Sequence, residues 1–466
     1  MTENNISPSY TSLVEWFSSK EKDPKDWRIG TEHEKFIFSL DGQKPVAYEG
    51  DAGIEAILRY LSKTYDMKPI KENEKYIALK TKDGASISLE PGGQFELSGD
   101  VVKTIHQSCI ETNRHLKQML DVTAKLGLGM LGLGFHPTAS RAEVNWMPKG
   151  RYRIMRDYMP KVGNLGLDMM LRTCTIQTNL DYCDEQDMRR KFKTSLALQP
   201  VATALFANSP FKDGALTSLQ SNRAWVWTDT DPDRCGVPTC VFEPNFGYEQ
   251  WIDYVLDIPM YFIYRNGEYL NVAGKSFRRF MSSKHRDDFF GHTASMSDFE
   301  DHITTVFPDV RLKGYLEMRG ADGGPWSIIC ALPALWVGLL YDEEALEKAE
   351  AIANKFTHQD VVNARISAAK DGLKGQLGSQ SLHELASQII EIAEIGLRNR
   401  ARFNKEDKDE TIFLKPLRTI VDTGLTQADI VRKLFHEKWA QDIQKVFEYY
   451  KYLRKVRGFK SKKSWI

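Results

Sequence analysis

The run Gly30-Thr31-Glu32-His33-Glu34-Lys35-Phe36-Ile37-Phe38 constrains the fold more than any other segment. Its alternation has the period of two that marks a strand, so side chains two apart share a face. Glu32 and Glu34 therefore project to the same side as Phe36 and Phe38, in line with what reads as a core-facing row. Carboxylates placed there need partners. At about 5 Å and an effective dielectric near 20, two such charges repel by roughly 3 kcal/mol, so cations or protons must compensate. The alternative is an edge strand with both glutamates in water.

Three further segments carry polar rows of the same kind. Ser88 to Leu97 places Glu90 and Glu96 around a Pro-Gly-Gly bend, with Gln94 and Glu96 on a face opposite Phe95 and Leu97. Thr173 to Leu180 sets Thr175, Gln177 and Asn179 against Ile176 and Leu180, a polar row that equally suits solvent. Tyr315 to Gly324 puts Glu317 and Arg319 on one face of a strand that ends in a glycine-rich turn. If these strands share one sheet and aim the same way, Glu32, Glu34, Glu90, Glu96 and Glu317 form an all-oxygen site. Magnesium is its natural cation, because it prefers carboxylate, water and phosphate oxygens and usually bridges carboxylates to nucleotide phosphates. Arginine beside such a site supplies the charge that phosphoryl transfer requires. The candidates are Arg319, Arg223 in Ser221-Asn222-Arg223-Ala224-Trp225-Val226-Trp227, and Arg151 in the basic run Lys149 to Arg153. Each arginine taken alone also suits a surface ion pair.

Around these segments the first two thirds of the chain alternate strands with helices. Strands are expected at Ile29 to Phe38, Ile77 to Leu79, Ser86 to Leu97, Thr173 to Leu180, Val241 to Glu243, Met260 to Tyr264 and Tyr315 to Arg319. Helical patterns cover Val101 to Lys125, Glu185 to Asn208, Ile328 to Tyr341, Leu382 to Phe403 and Gln427 to Leu453. No repeat or Gly/Ser linker divides the chain. One catalytic body over 1–466 is expected, with 1–26 as an N-terminal extension and 343–466 as a mainly helical wrap. Gly127, Gly129 and Gly132 match the spacing of a dinucleotide-binding turn, but a helix precedes them and none follows, so they read as a glycine-rich strand.

Composition excludes several classes of function. The 63 basic and 63 acidic residues cancel, which removes any global attraction to nucleic acid or anionic membrane. With 42% hydrophobic and 27% charged residues, long disorder is excluded. The basic tail from Lys451 to Lys463 reads as a solvated terminus. The apolar run Ile328 to Tyr341 contains Pro333 and is too short for a bilayer, so it reads as a buried helix. Neither a nucleic acid nor a membrane is an expected partner. Met1 to Tyr10 lacks the basic start and apolar run of a secretory signal, and a cytoplasmic location is expected. Six scattered cysteines suggest reduced thiols, with Cys235 and Cys240 as ordinary thiols of a hairpin.

Arg28-Ile29-Gly30-Thr31-Glu32-His33-Glu34-Lys35-Phe36, Leu89 to Ser98, Met147-Pro148-Lys149-Gly150-Arg151-Tyr152 and Tyr315 to Asp322, in that order, resemble the plant-type glutamate–cysteine ligases. The resemblance runs from about Trp27 to Trp439. It implies an α+β fold related to glutamine synthetase, an antiparallel sheet curved into a cradle with helices on its outer side. It also implies ATP-dependent ligation of the γ-carboxylate of L-glutamate to the amine of L-cysteine, the first step of glutathione synthesis. A related ligase with another amine acceptor is the alternative. Carried over to this chain, Glu32, Glu34, Glu90, Glu96 and Glu317 would be the magnesium and nucleotide-phosphate site. Glu34, Glu317 and Arg319 would be catalytic, and Glu90, Glu96 and Arg319 would face the nucleotide. Arg151, Arg223, Arg319, Gln177 and Trp227 would bind substrate. Glutathione as feedback inhibitor and a monomer or homodimer are family expectations. Some plant members carry a regulatory cysteine pair at a hairpin that here includes Val272, where no cysteine stands, so that switch is not expected. Cys109 and Cys330 read as isolated buried thiols, although they also match a second plant pair.

Overall fold

The computed structural model describes residues 7–452. Its centre is an open nine-stranded sheet, in which every pairing is antiparallel. The strands are β1 (Ile29–Ser39), β2 (Lys68–Glu72), β3 (Lys75–Lys80), β4 (Ser86–Leu89), β5 (Phe95–Ser98), β6 (Leu128–Leu131), β7 (Thr175–Leu180), β8 (Val310–Leu312) and β9 (Leu316–Asp322). Their order is β8-β9-β7-β1-β5-β4-β3-β2, and β6 pairs with the far half of β1. The long strand β1 is therefore central and has three neighbours.

Helices bury one face of the sheet. At the β3–β5 end, Leu79, Ile87, Leu89, Phe95 and Leu97 pack with α1 (Ile54–Tyr65) and α2 (Ile105–Leu126). At the β7–β9 end, Ile176, Leu180, Leu316 and Met318 join a larger core with α3 (Glu185–Leu205), α4 (Ala331–Leu340) and α5 (Leu382–Arg400). The apolar run around Pro333 is thus the expected core helix, with every residue of α4 buried. Among the described residues no single helix is long and apolar enough to cross a membrane. The opposite face carries the polar rows, and Phe36 and Phe38 continue it into a small cluster closed by the helix Gln444–Tyr450.

The strand-and-helix reading holds where the period is strong and departs where it is short. Ser86 to Leu97 is two strands, because Glu90 to Gln94 turn back at the Pro-Gly-Gly bend. Gly93 there has φ +80°, and a Cβ on Gly92 would lie 2.4 Å from the Leu171 carbonyl oxygen. Val241 to Glu243 is no strand but part of a 3-10 turn, Thr239–Phe242, held by bonds such as the Glu243 amide to the Cys240 carbonyl. Cys235 and Cys240 consequently do not share a hairpin: Cys235 pairs in parallel with Phe307. Residues Phe262–Arg265 form a strand, but it joins only Glu268–Asn271 in a separate hairpin. The last helical pattern splits into Gln427–Glu437 and Gln444–Tyr450, where Ala440 and Gln441 take positive φ. Most of the basic tail lies outside the described residues. Lys68–Glu72 and Val310–Leu312 are strands that the sequence reading did not contain. In the glycine-rich segment Gly127 caps α2 with φ +68° and Gly129 lies in β6, so a helix precedes the glycines and the dinucleotide reading does not hold.

One expectation about cysteine is corrected. Cys109 on α2 and Cys330 at the start of α4 are not isolated, because their thiols lie near enough to act on one another. That interaction lowers the Cys109 pKa and, with burial, raises that of Cys330.

Candidate active site

The register of the sheet gathers the predicted carboxylates. Glu34 stands opposite Glu96 on β5, and Glu32 stands between Ser98 on β5 and Gln177 on β7. Asn179 faces Glu317 on β9, which faces Arg311 on β8. Since directly opposed residues of antiparallel strands share a face, Glu32, Glu34, Glu96, Gln177, Asn179, Glu317 and Arg311 line one surface. Glu90 joins them from the bend after β4, close enough to act electrostatically on both Glu34 and Glu96.

This row holds more negative charge than its neighbours neutralise. Burial, then the charges of Glu317 and Glu96, push the Glu32 carboxyl up to about 7. Burial, then Glu90 and Glu96, raise Glu34 well above the usual carboxylate range, and burial with Glu90 raises Glu96. The hydrogen bonds they receive fix their orientation without cancelling the charge. The Thr175 amide donates to Glu34 Oε2 at 3.0 Å and Asn179 Nδ2 donates to Glu32 Oε1 at 2.8 Å. Ser88 and Ser98 hydroxyls donate to the two oxygens of Glu96 at 2.7 and 3.0 Å.

Glu317 differs from the others. Its Oε2 accepts from Arg311 Nε at 2.6 Å and from Arg319 Nη1 at 2.9 Å, while Lys313 Nζ lies 3.5 Å from Oε1. Against the upward push of burial, Arg311, Lys313 and Arg319 hold it well below the carboxylate range. It is an anchored anion that orients arginine, whereas Glu32, Glu34 and Glu96 make no salt bridge among the described residues.

The predicted cations and the tryptophan border the same face. Arg319 Nη1 also donates to Gln177 Oε1 at 2.9 Å. Arg223, buried on the short helix Asn222–Val226, donates from Nη2 to the Arg319 carbonyl at 2.7 Å and lies near Glu34 and Asp322. Arg151 is half-buried on the helix Gly150–Tyr158, with Tyr152, Glu90 and Tyr269 around it. Next to it Lys149 donates to the Leu89 carbonyl at 2.7 Å, and burial followed by the Arg151 charge brings its ammonium down to about 8. The buried Nε atoms of Arg151 and Arg223 and the indole Nε1 of Trp227 meet no acceptor among the described residues. Three desolvated donors without partners suit an anionic ligand.

Arg223, Arg319 and Trp227 also line a pocket with Phe307, Asp309 and Arg365. Trp227 and Phe307 form one wall, ring centroids 5.9 Å apart. Sequence reasoning missed Arg311, which sits on a three-residue strand, and Asp322, whose carboxylate accepts from Ser209, Ser221 and the Asn208 amide beside Arg223. It also missed Arg365, one basic residue of a helical stretch.

The donor set fits magnesium. Among the described residues no three His, Cys, Asp or Glu side chains form a metal cage by themselves. Carboxylates spaced along a face, with protons favoured until a cation arrives, match an ion held by one or two carboxylates, waters and phosphate oxygens.

The model of glutamate-cysteine ligase family 2 matches residues 28–449. Chloroplastic glutamate–cysteine ligase A of Oryza sativa subsp. japonica is 47% identical over 436 residues, covering 94% of this chain and 86% of the rice protein. The chloroplastic glutamate–cysteine ligase of Arabidopsis thaliana is 46% identical, covering 94% of this chain and 81% of its own. A solved glutamate–cysteine ligase of Francisella tularensis in complex with AMP shares the fold, with TM-score 0.56 at 12% identity, over 91% of this chain and 89% of that one. The plant relatives run against the expected cytoplasmic location, because the rice and Arabidopsis proteins are both chloroplastic.

Proposed function

The chain belongs to glutamate-cysteine ligase family 2, and on that premise we propose that it joins the γ-carboxylate of L-glutamate to the amine of L-cysteine at the expense of ATP. The observation that carries the reading is the row of Glu32, Glu34, Glu90 and Glu96, deficient in positive charge, beside a pocket lined by arginine. In this proposal 1–466 works as one catalytic unit, and the polar face of the sheet is the cradle in which the reactants meet.

A carboxylate oxygen of glutamate attacks the γ-phosphorus of ATP, the bond to the β-phosphate oxygen breaks, and ADP leaves. The γ-glutamyl phosphate that forms is an activated acyl group. The neutral amine of cysteine attacks its carbonyl carbon, the carbon–oxygen bond to phosphate breaks, the nitrogen gives up a proton, and the amide remains. No protein nucleophile is required.

Glu32, Glu34, Glu90 and Glu96 would hold magnesium, which when bound offsets the charge of the phosphates. Arg319, oriented by Glu317 and Gln177, meets the charge that develops during transfer. Arg151, Arg223 and Trp227 supply the unpaired donors for substrate carboxylates or phosphates, and hold the reactants within reach of one another. Glutathione, which contains the γ-glutamyl-cysteine unit of the product, would inhibit by occupying the same pocket, and the working assembly is a monomer or homodimer.

The test is a mass-resolved assay with ATP, magnesium and L-glutamate, with and without L-cysteine, following ADP and dipeptide together. Equal amounts of ADP and γ-glutamylcysteine are expected. ADP formed with another amine but not with cysteine would overturn the acceptor, and no turnover with any amine would overturn the ligase reading.

A further inference from the structure

Resting on the reading that the arginine-lined pocket takes an amino-acid substrate, we propose that Arg365 recognises a substrate α-carboxylate from the pocket's far wall. Arg365 stands on the helix His358–Asp371, inside the stretch that the sequence reads only as a helical wrap. Its side chain is 15% exposed and lines the pocket with Arg223 and Arg319. Asp309 Oδ2 accepts from its Nε at 2.5 Å. Among the described residues its two terminal nitrogens donate to no acceptor. A guanidinium so largely removed from water and left with two donors is set for a ligand that returns the lost hydrogen bonds.

The surroundings specify the charge of that ligand. The pocket is lined by three guanidinium groups and one carboxylate, Asp309. Asp309 is rigid: its amide donates to the Gly236 carbonyl at 2.8 Å, and its own carbonyl accepts from the Arg319 amide at 3.1 Å. One residue thereby orients Arg365 through its side chain and anchors Arg319 through its backbone. Arg319 spends its Nη1 on Glu317 and Gln177, and Arg223 spends its Nη2 on the Arg319 carbonyl. Arg223 Nε, the indole Nε1 of Trp227 and the terminal nitrogens of Arg365 are among the donors left for an incoming anion, with the rings of Trp227 and Phe307 as an apolar wall. A carboxylate fits such planar donors. The phosphates of ATP would instead lie by the carboxylate row, where magnesium held by those glutamates would offset their charge.

Both amino acids bring an α-carboxylate, and decarboxylated analogues tell them apart: 4-aminobutyrate is glutamate without it, and cysteamine is cysteine without it. Steady-state kinetics of full-length Arg365→Met and Arg365→Lys decide the matter. In Arg365→Met the KM for one amino acid is expected to rise at least tenfold, with the KM for ATP unchanged. The preference for that amino acid over its decarboxylated analogue is expected to fall by a similar factor. The amino acid affected identifies the carboxylate, and Arg365→Lys restores part of the loss because it keeps the charge without the fork. Unchanged KM values for both amino acids would overturn the proposal, as would an equal loss for native substrates and analogues, which marks Arg365 as support for Asp309 alone. Should Arg365→Met fail to fold, Arg365→Lys carries the same test, and an unchanged preference there overturns the proposal. Wild-type protein that makes no dipeptide would refute the ligase reading before any variant is measured.

Discussion

Glu32→Gln should stabilise the cation-free protein at pH 8 and leave it unchanged at pH 4. Burial and neighbouring carboxylates raise Glu32 from 4.5 to about 7 in the folded chain. Between those values the folded state holds a proton that the unfolded state has released, so stability falls as pH rises through that window and stays reduced above it. A rise of about 2.5 pKa units corresponds to roughly 3 kcal/mol, of which water reaching the open row returns a share, leaving about 1–3 kcal/mol. Glutamine has the same shape, keeps an oxygen for Asn179 Nδ2 and never ionises. With an unfolding entropy near 2.1 cal/mol/K per residue, 466 residues give about 1 kcal/mol/K, so the gain is about 1–3 °C in Tm. The assay is thermal unfolding by circular dichroism in EDTA at pH 4 and 8, for both proteins, repeated with magnesium at pH 8. Magnesium should raise the wild-type midpoint more than that of Glu32→Gln. A variant less stable at pH 8, or one equally stabilised at both pH values, would refute the reasoning.

Glu34→Gln keeps an acceptor for the Thr175 amide, so the protein should fold while ADP release falls on the order of 100-fold or more. Normal turnover at saturating magnesium would remove Glu34 from the chemistry. Gly92→Ala places a methyl 2.4 Å from the Leu171 carbonyl oxygen and 2.9 Å from Leu171 Cα, and should cost about 1–3 kcal/mol. Because the bend that must shift carries Glu90, the KM for magnesium-ATP should rise with it, and an unchanged KM would separate the bend from the site. Cys109 and Cys330 should join under mild oxidation, protecting both from alkylation in a mass-mapped digest, and single Cys→Ser variants should lose that protection. Independent alkylation of both thiols after oxidation would contradict their contact.

The sequence made the carboxylate face legible because a strand repeats every two residues, so Glu32 with Glu34 and Gln177 with Asn179 announce a shared side before any partner is known. It did not reveal which partner each carboxylate finds. Glu317 is indistinguishable from Glu34 in the string, and only the opposition of β8 to β9 shows it neutralised by Arg311. Val241 to Glu243 has the composition of a strand but no neighbour with which to pair, and the chain turns instead. Cys109 and Cys330 meet across a helix contact that has no local signature. Arg365 is one of 63 basic residues, and its orientation toward the pocket depends on how its helix sits beside Asp309.

The central position of β1 has a consequence in time. Ile29 leaves the ribosome 146 residues before Thr175, the first residue of its partner β7. At about 5–20 residues per second that is roughly 7–30 s of synthesis. Throughout that interval Ile29 to His33 of the nascent chain lie on a strand edge without its β7 partner, the kind of segment that associates with other chains. The strand made among the first is among the last to be enclosed, so the yield of active enzyme should depend on holdase chaperones and on translation speed between codons 40 and 180 more than on the stability of the finished fold.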